Sequence, residues 1–372
     1  DTYEKNPARG FQSSMEEPIF IGLGQTKVDS AFLIWPDNSY QQITVGPGKN
    51  VVFSYQKGLP VFDYSIITSY YKQQTGQMAD ITSAVALNYV HKENPFKEFD
   101  REPLIPHMLS TEGPALAVAD INHDGLGDVF IGASKTFHDA IFLQQPNGKF
   151  VQQPEPDMLK DSMYEDVDAT WVDVNNDGNV DLVIASGGNE YYGSDAHLLP
   201  RVYLNDGKAH FTRKQDAFTG LFQTFSCIAA DDFNGDGFPD LFLGGRAVPW
   251  EYGQIPHSYL LLNDGTGKFT DVTAKDAAGL SDVGMVTKAV WTDLDKNGRK
   301  DLLLCCEWGG IEAFMNEQGV LKRKTLTDKK GWWNFVMPVD IDNDGDLDLV
   351  AGNLGLNSRL KASPDMPVRL YY

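Results

Sequence analysis

The nine residues DINHDGLGD, at positions 120–128, form a loop pattern that recurs four more times along this 372-residue chain. The other copies begin at Asp173, Asp232, Asp293 and Asp340, and all fit D-x-[DN]-x-[DN]-G-x-x-D. Carboxylates or amides on alternate residues of a tight turn point the same way, which suits a hard cation that prefers oxygen ligands. Glycine at the sixth position is expected where the backbone turns sharply. The repeat therefore predicts up to five structural Ca²⁺ sites.

Five positions of each loop, the first, third, fifth, seventh and ninth, are the candidate cation ligands, and the seventh offers its main-chain carbonyl. They are Asp120, Asn122, Asp124, Leu126 and Asp128 in loop one; Asp173, Asn175, Asp177, Asn179 and Asp181 in loop two; Asp232, Asn234, Asp236, Phe238 and Asp240 in loop three; Asp293, Asp295, Asn297, Arg299 and Asp301 in loop four; and Asp340, Asp342, Asp344, Asp346 and Asp348 in loop five. The charges of Lys296, Arg299 and Lys300 are expected to make loop four a weaker site than loop five.

Short apolar runs stand on both sides of every loop, as before Asp120 and after Asp128. These runs end in small residues, so they predict buried β-strands. The twelfth residue of each loop is apolar, whereas an EF-hand has glutamate there and a helix on each side. The predicted unit is therefore strand, cation loop, strand.

The loops begin 53, 59, 61 and 47 residues apart, a period typical of a propeller or an array. Within the periods, two apolar runs around a glycine turn predict a hairpin, at 141–151, 202–212, 259–270 and 313–322. Each period then holds four strands, which is one propeller blade. The predicted fold is an all-β propeller of four-stranded blades, preceded by a small β-sheet domain.

Five blades are recognisable and the last is truncated. After loop five, the sequence PVRLYY at 367–372 would supply only a third strand. We therefore expect this chain to be a fragment of a longer protein. The propeller is placed at 113–372.

The sequence before the propeller divides into two parts. Residues 18–56 alternate apolar and polar side chains, with turn sequences at 36–38 and 46–48, and predict a small β-sheet domain within residues 1–60. Residues 61–112 are predicted to be a linker that docks on the propeller, and they are a candidate for an outer strand.

Composition limits the partners. Part of the net charge of −21 belongs to the cation loops, and no basic stripe is present to neutralise the phosphates of a nucleic acid. The sequence contains no run of 18 apolar residues, so it predicts no transmembrane helix. Cys227, Cys305 and Cys306 do not make a disulfide framework and are predicted to be buried core residues.

Loops that join second to third strands emerge at the end of the blades opposite the cation loops. They are predicted to be long and aromatic at 187–200 and 245–258, with further aromatic residues at 307–310 and 329–335. Such loops on a rigid scaffold are typical recognition sites. The candidate ligand-binding residues are Asn189, Glu190, Tyr191, Tyr192, Arg246, Trp250, Tyr252, Glu307, Trp308 and Asn353. The alternative is that they cap strands or pack blade against blade.

The repeats resemble the FG-GAP/VCBS class, the calcium-loop repeats of integrin α-subunit propellers and of many bacterial surface proteins. Residues 19–55 are similar to the ASPIC/UnbV module through Gly22-Leu23-Gly24, Val28-Asp29-Ser30 and Trp35-Pro36-Asp37. The combination resembles large surface lipoproteins of Bacteroidetes. That resemblance implies an extracellular location at a bacterial cell surface, with outer-membrane anchoring through a region not in this chain.

No HExxH, GxSxG or P-loop motif occurs, and no catalytic residue is predicted. The sequence therefore favours a calcium-binding recognition or scaffold module, with a glycan or protein ligand on the face opposite the cation loops, over an enzyme. One alternative is a structural subunit of an outer-membrane complex for nutrient uptake or assembly. A further alternative is a calcium-dependent polysaccharide lyase, for which Arg246 with Tyr252 or His257 is the candidate site.

Overall fold

The computed structural model describes residues 28–66 except 29, 45, 47 and 49, and residues 79–371 except 359 and 364. Backbone contacts divide the chain into two compact units, Asp1–Ala79 and Asp80–Tyr372. The motif Gly22-Leu23-Gly24 and Asp29, which carry part of the predicted N-terminal module, lie outside the described residues. Within the described ranges, no helix is both long and apolar enough to cross a membrane.

The first unit contains a two-stranded antiparallel sheet, β1 (Ala31–Ile34) and β2 (Tyr40–Ile43). The predicted turn joins them, and the Asp37 carboxylate accepts hydrogen bonds from the N–H and hydroxyl groups of Ser39 at 3.0 and 2.6 Å. Buried Phe62 packs edge-on against Tyr40, with ring centroids 5.2 Å apart. The alternating pattern thus gives a hairpin that packs on an aromatic cluster.

The second unit contains three four-stranded antiparallel sheets and one six-stranded sheet, whose first four strands are called sheet four and whose last two are called sheet five. Sheet one is β3 (Leu116–Ala119), β4 (Asp128–Ile131), β5 (Ala140–Gln144) and β6 (Phe150–Gln153), and sheet two is β7 (Asp166–Val172), β8 (Asp181–Ser186), β9 (Arg201–Asn205) and β10 (Phe211–Arg213). Sheet three is β11 (Thr224–Asp231), β12 (Asp240–Ala247), β13 (Tyr259–Asn263) and β14 (Phe269–Asp271), and sheet four is β15 (Met285–Thr292), β16 (Asp301–Gly309), β17 (Ile311–Asn316) and β18 (Leu321–Thr325). Sheet five is β19 (Gly331–Val339) and β20 (Asp348–Asn353), and the short helices are α1 (Thr273–Asp276) and the 3₁₀ turns Glu98–Asp100, Met158–Asp161 and Ala196–Leu198.

Each acidic loop joins the first strand of a sheet to its second, and the third and fourth strands form hairpins, as the sequence predicts. The second strands of sheets one to four are the most buried elements, and every residue of β8 and β12 is buried. A strand covered on both faces reads as a continuous apolar run rather than an alternating one. This burial is why the sequence after each loop is so strongly apolar.

The first strands of consecutive sheets lie side by side, from β3 through β7, β11 and β15 to β19. Aromatic side chains fill the space between the sheets: Phe130 meets Trp171 at 6.4 Å between sheets one and two, and Phe233 stacks with Trp291 between sheets three and four. The three cysteines are free and buried, as predicted. The described fold is therefore all-β, a succession of face-packed antiparallel sheets.

Two predicted loops and one predicted strand differ from the structure. Glu307 and Trp332 pair across β16 and β19, so residues 307–309 and 331–335 lie in strands that join sheets four and five. Residues 367–371 form no strand, because Val368 and Leu370 line a cavity beside Trp332 instead of extending the exposed edge at β20. The candidate outer strand is also not found in the described residues 80–112.

Candidate functional site

The first aspartate of each acidic loop holds the turn. In loop one, the Asp120 carboxylate accepts hydrogen bonds from the N–H groups of Asp124 at 3.1 Å and Gly125 at 2.8 Å. Both bonds recur in loops two, three and four, and loop five has the one from Gly345. Gly125 has a φ of 84°, a left-handed conformation that costs glycine little. The shared sequence pattern therefore gives one shared loop geometry.

The ninth aspartate of each loop ties it to its own sheet. Asp181 of loop two is fully buried and accepts hydrogen bonds from the N–H groups of Val174 at 3.0 Å and Asn205 at 2.8 Å. Burial raises the pKa of Asp181 to about 6 and that of Asp240 in loop three to about 7. A buried carboxylate is costly to keep charged unless a cation lies beside it.

Two observations test whether the loops fit a metal ion. The buried Oδ2 atom of Asp240 has no hydrogen-bond partner among the described residues, so one oxygen remains free for a ligand role. In loops four and five, where the third residue is aspartate, carboxylate oxygens of three residues lie within 4.8 Å of one another; the two groups are Asp293, Asp295 and Asp301, and Asp340, Asp342 and Asp348. The donors are all oxygens, as hard cations prefer. These acidic groups could therefore hold a metal ion.

Lys296 contacts a loop other than its own. Its ammonium group donates to the carboxylate of Asp346 in loop five, across the boundary between sheets four and five. The charge of Lys296 therefore offsets the acidity of loop five as well as that of its own loop.

At the opposite end of the sheets, the predicted ligand-binding residues meet residues 94–112, called the covering segment below. Leu109 of this segment is 1% exposed and lies in a buried cluster with Ala247 and Met285. Tyr252 and Trp308 pack against the same cluster. The protein's own chain thus covers part of the face at which the sequence predicts a ligand.

Arg246 forms a buried ion-pair network with the covering segment. Its Nε and Nη2 atoms donate to the Glu112 carboxylate at 2.7–3.0 Å. The Oε2 atom of Glu307 lies 2.5 Å from Nη2, outside hydrogen-bond geometry. The His107 Nε2 atom and the Tyr252 hydroxyl contact Oε1 of Glu307 at 2.7 and 2.9 Å. Two carboxylates therefore face one guanidinium and one imidazole.

This network shifts two pKa values. Burial alone would raise the pKa of Glu307, but the hydrogen bond from His107 and the charge of Arg246 hold it at about 2. Burial lowers the pKa of His107, but the hydrogen bond to Glu307 and its charge outweigh burial, so the net pKa is raised above 6.5. The Glu307 contribution to stability is thus lost as the pH falls towards 2. The His107 contribution is complete below about pH 6.5 and lost as the pH rises through the folded-state pKa.

The covering segment is therefore expected to dock most tightly between about pH 4.5 and 6.5 and to loosen above that range. Hydrogen exchange of the amides of 107–112, corrected for intrinsic rates, should be faster at pH 8 than at pH 6. His107→Gln keeps a hydrogen-bond donor for Glu307 but does not titrate, so it should remove the difference. Equal protection of the wild-type segment at both pH values would contradict this assignment.

Asn189 organises the neighbouring loop. Its Nδ2 atom donates to Glu102 at 2.7 Å, and its Oδ1 atom accepts from the N–H of Trp250 at 3.0 Å. The guanidinium of Arg101 lies 4.5 Å from the centroid of the Trp250 ring. Trp250 has a φ of 69°, a strained conformation for a bulky residue, and such strain persists only where surrounding contacts enforce it.

Tyr192 and Trp250 form an exposed ring pair. Their centroids are 3.8 Å apart, and their exposed fractions are 58% and 38%. Tyr191 turns away from this pair, stacks on His197 at 4.6 Å and donates its hydroxyl to the carbonyl of Met163. Glu190 accepts a hydrogen bond from Asn94 of the covering segment at 2.7 Å. Of the candidate ligand-binding residues, this ring pair and Asn353 are therefore exposed to solvent.

A separate cavity of about 700 Å³ lies beside sheets four and five. Glu307, Trp308, Trp332 and Asn353 contribute to its lining. The structure thus places Asn353 with Trp308, away from Asn189 and the ring pair. The ring of His257, a candidate for the lyase alternative, packs 4.3 Å from Tyr259. The lyase alternative remains a prediction.

The sequence interpretation missed the residues that fill this face from the covering segment, namely Arg101, Glu102, His107 and Glu112. One signal was available. Arg246 follows the apolar and glycine run LFLGG within β12, and a guanidinium buried at such a position requires carboxylate partners from elsewhere. The acidic residues of 94–112 had no role in the sequence interpretation and could have been considered as these carboxylate partners.

Matches to the FG-GAP-like repeat family model span residues 120–184, 173–243, 232–304 and 293–351, more than half of the chain, and include all five acidic loops. This chain belongs to the FG-GAP-like repeat family. Residues 1–58 of this FG-GAP-like repeat protein match the model described as ASPIC and UnbV. Both resemblances inferred from the sequence are confirmed.

Solved structures similar to this FG-GAP-like repeat protein share little sequence with it. An Agrocybe aegerita lectin that recognises non-reducing terminal N-acetylglucosamine is 19% identical, with a TM-score of 0.40, over 65% of this chain and 60% of the lectin. The V. cholerae biofilm matrix protein Bap1 is 19% identical, with a TM-score of 0.32, over 59% of this chain and 29% of Bap1. A putative exo-β-1,3-galactanase from Bifidobacterium bifidum is 11% identical, with a TM-score of 0.37, over 61% of this chain and 77% of the galactanase.

Proposed function

We propose that this protein is an extracellular, calcium-binding β-propeller that acts as a recognition or scaffold module at a bacterial cell surface. Family membership and four successive four-stranded sheets, whose first strands lie side by side, support the propeller. Anchoring at an outer membrane belongs to the same proposal. Calcium at the millimolar level outside a cell would suit sites of the affinity common in extracellular modules.

The donor set favours calcium as the ion. Aspartate carboxylates at positions one, five and nine, aided by position three, would hold it in most loops, and no cysteine or histidine occupies those positions. Ca²⁺ accepts six to eight oxygens in flexible geometry, whereas Mg²⁺ demands a near-ideal octahedron. When bound, the ion would supply positive charge that offsets the mutual repulsion of the loop carboxylates.

The exposed ring pair is the observation that supports glycan recognition. Tyr192 offers a shallow ring backed by Trp250, at the end of the sheets opposite the acidic loops. Aromatic rings bind the apolar faces of sugars, and their rigidity keeps the entropic cost of ordering small. Arg101 lies against Trp250 and adds a donor group near the rings. We therefore assign the glycan site to this pair.

The test is a glycan array in millimolar Ca²⁺, followed by calorimetric titration with the best-bound glycan. Tyr192→Ala and Trp250→Ala should each weaken binding by about 5–150-fold, because removal of a stacking ring costs about 1–3 kcal/mol in comparable sites. Tyr192→Phe keeps the ring and should bind within about threefold of the wild type. Unchanged binding by Tyr192→Ala would reject this site.

A second candidate function, a structural subunit of a surface complex, is favoured by the outermost sheets. Leu116 and Val118 of β3 are 60% and 61% exposed, and Phe335 and Met337 of β19 are 43% and 44% exposed. Exposed apolar clusters of this kind often mark surfaces that pack against a partner. An array without hits, together with a purified chain that associates through these strands, would favour the structural role.

A further inference from the structure

The third strands of sheets two, three and four each end at an asparagine that contacts two acidic loops at once. Asn263 at the end of β13 donates from Nδ2 to the carbonyl of Pro239 in loop three at 3.0 Å and to that of Val174 in loop two at 2.9 Å. Asn205 makes the same pair of bonds to loops two and one, at 3.0 and 2.8 Å, and Asn316 to loops four and three, at 3.1 and 2.8 Å. One amide therefore joins each pair of neighbouring loops.

The same asparagines bind the ninth aspartate of their own loop through the main chain. The N–H of Asn263 donates to Asp240 Oδ1 at 2.9 Å, and Asn205 and Asn316 repeat this bond to Asp181 and Asp301 at 2.8 and 2.7 Å. Each ninth aspartate is a candidate ligand, so the residue that carries the bridging side chain also contacts, through its main-chain N–H, an atom that would hold a cation.

The second residue of loops one and two completes the connection. In loop two, the N–H of Val174 donates to the ninth aspartate, Asp181, while its carbonyl accepts from Asn263 of the next sheet. Loop one repeats the arrangement through Ile121, which donates to Asp128 and accepts from Asn205. An uninterrupted chain of amide hydrogen bonds therefore links the candidate ligands of loops one, two and three.

These bridging asparagines are buried, and both their side-chain N–H groups and their side-chain oxygens make hydrogen bonds. Asn205, Asn263 and Asn316 are 3%, 2% and 1% exposed. Their Oδ1 atoms accept hydrogen bonds from glycine N–H groups in the hairpin turns, such as Gly265 at 3.1 Å and Gly267 at 3.2 Å for Asn263. Water cannot readily replace an amide so enclosed, and chains of hydrogen bonds in a low-dielectric interior strengthen one another.

Sheet one provides an internal contrast. Gln144 occupies the corresponding position at the end of β5, and its N–H donates to Asp128 at 2.8 Å. Its side chain is only half-buried and joins no loop of an earlier sheet among the described residues. Asparagine is thus present at the third-strand end in sheets two to four, where it lies between two acidic loops. In sheet one, which has no preceding loop to bridge, glutamine takes its place.

We propose that loops one to four form one coupled array, in which Asn205, Asn263 and Asn316 are positioning residues that transmit the ordering of one loop to the next. A cation that fixes the ninth aspartate of one loop then favours the binding-competent geometry of its neighbour, so Ca²⁺ binds with positive cooperativity. Coupling of this kind is reciprocal between sites. The inference rests on the proposed calcium binding and adds the interaction between sites.

Calcium titration of the full chain by calorimetry, with native mass spectrometry to count bound ions, tests the coupling. Asn263→Ala should weaken the two loops it bridges by about 10–100-fold, as removal of outer-shell partners commonly does, and should flatten the cooperative part of the isotherm. Gln144→Ala is the matched control and should bind as the wild type does. Equal affinities in Asn263→Ala and Gln144→Ala would overturn the proposal.

Silencing one loop gives an independent readout should Asn263→Ala fail to fold. Asp232→Ala removes the first ligand of loop three at a site that is not fully buried. Coupling requires that the remaining sites lose affinity too, by severalfold, whereas independent sites would simply bind one ion fewer. Wild-type affinity at every remaining site would overturn the coupling and leave the proposed calcium binding intact. A wild-type chain that binds no Ca²⁺ would overturn both.

Discussion

Chelation of divalent cations should lower the melting temperature of the full chain by about 10–20 °C relative to the same protein in about 10 mM Ca²⁺. The physical reason is that the ninth aspartates of loops one to four are buried, so without a bound cation the folded state holds their negative charges uncompensated. Asp181 and Asp240 have raised pKa values for that reason. Anything that binds the folded loops and not the unfolded chain stabilises the fold by mass action.

The size of the shift in melting temperature follows from the calcium affinity of each loop and from the number of loops. A site with a Kd of about 10⁻⁴–10⁻³ M contributes about 1.4–2.7 kcal/mol at about 10 mM Ca²⁺, so five such sites sum to about 7–14 kcal/mol. The second unit begins at Asp80 and has roughly 290 residues, for which the unfolding entropy is about 0.6 kcal/mol per kelvin. Dividing the stabilisation free energy by this unfolding entropy gives a shift in melting temperature of about 10–20 °C.

Differential scanning calorimetry of the chain in Ca²⁺, in chelator, and in chelator followed by excess Ca²⁺ measures this shift and its reversal. Mg²⁺ serves as the matched control ion, because the loops present flexible carboxylates rather than a rigid octahedron, and it should restore less than half of the loss. A melting temperature that chelation leaves unchanged would contradict structural cation binding at these loops.

The sequence predicted the strands and acidic loops well because their determinants are local. A loop such as 120–128 carries its turn residue, its oxygen donors and its flanking strands within about twenty residues, and sheets of four strands follow from the period. The same locality explains the confirmed hairpins, whose turn residues lie between the paired strands. Neither feature requires knowledge of what packs against the sheet.

The covering segment could not be predicted in the same way, because it has no periodic pattern and its partners are distant in sequence. His107 meets Glu307 across 200 residues, and Glu112 meets Arg246 across 134. The candidate ligand-binding residues lie in or after the ends of second strands, away from the acidic loops that precede those strands. Which of them stay exposed was decided by long-range ion pairs that leave Tyr192 and Trp250 outside.

Arg246→Met should destabilise the second unit by about 3–5 kcal/mol, because it removes the guanidinium beside the buried Glu307 carboxylate and leaves that carboxylate only the His107 imidazole as a basic partner. Glu307 is 2% exposed and cannot turn to water, whereas Glu112 lies at the edge of the network. Methionine fills much of the volume of the arginine stem, so the loss reports charge rather than a cavity. The covering segment should lose its hydrogen-exchange protection in the same variant.

A double variant separates charge from packing. Arg246→Met with Glu307→Gln keeps an acceptor for the Tyr252 hydroxyl at 2.9 Å but removes the uncompensated charge, so it should recover more than half of the lost stability. Lys322→Met is the matched control, because it breaks an exposed ion pair with Glu317 and should cost less than about 1 kcal/mol. Urea unfolding in saturating Ca²⁺ measures all three. If Arg246→Met costs no more than Lys322→Met, the buried network does not hold the covering segment in place.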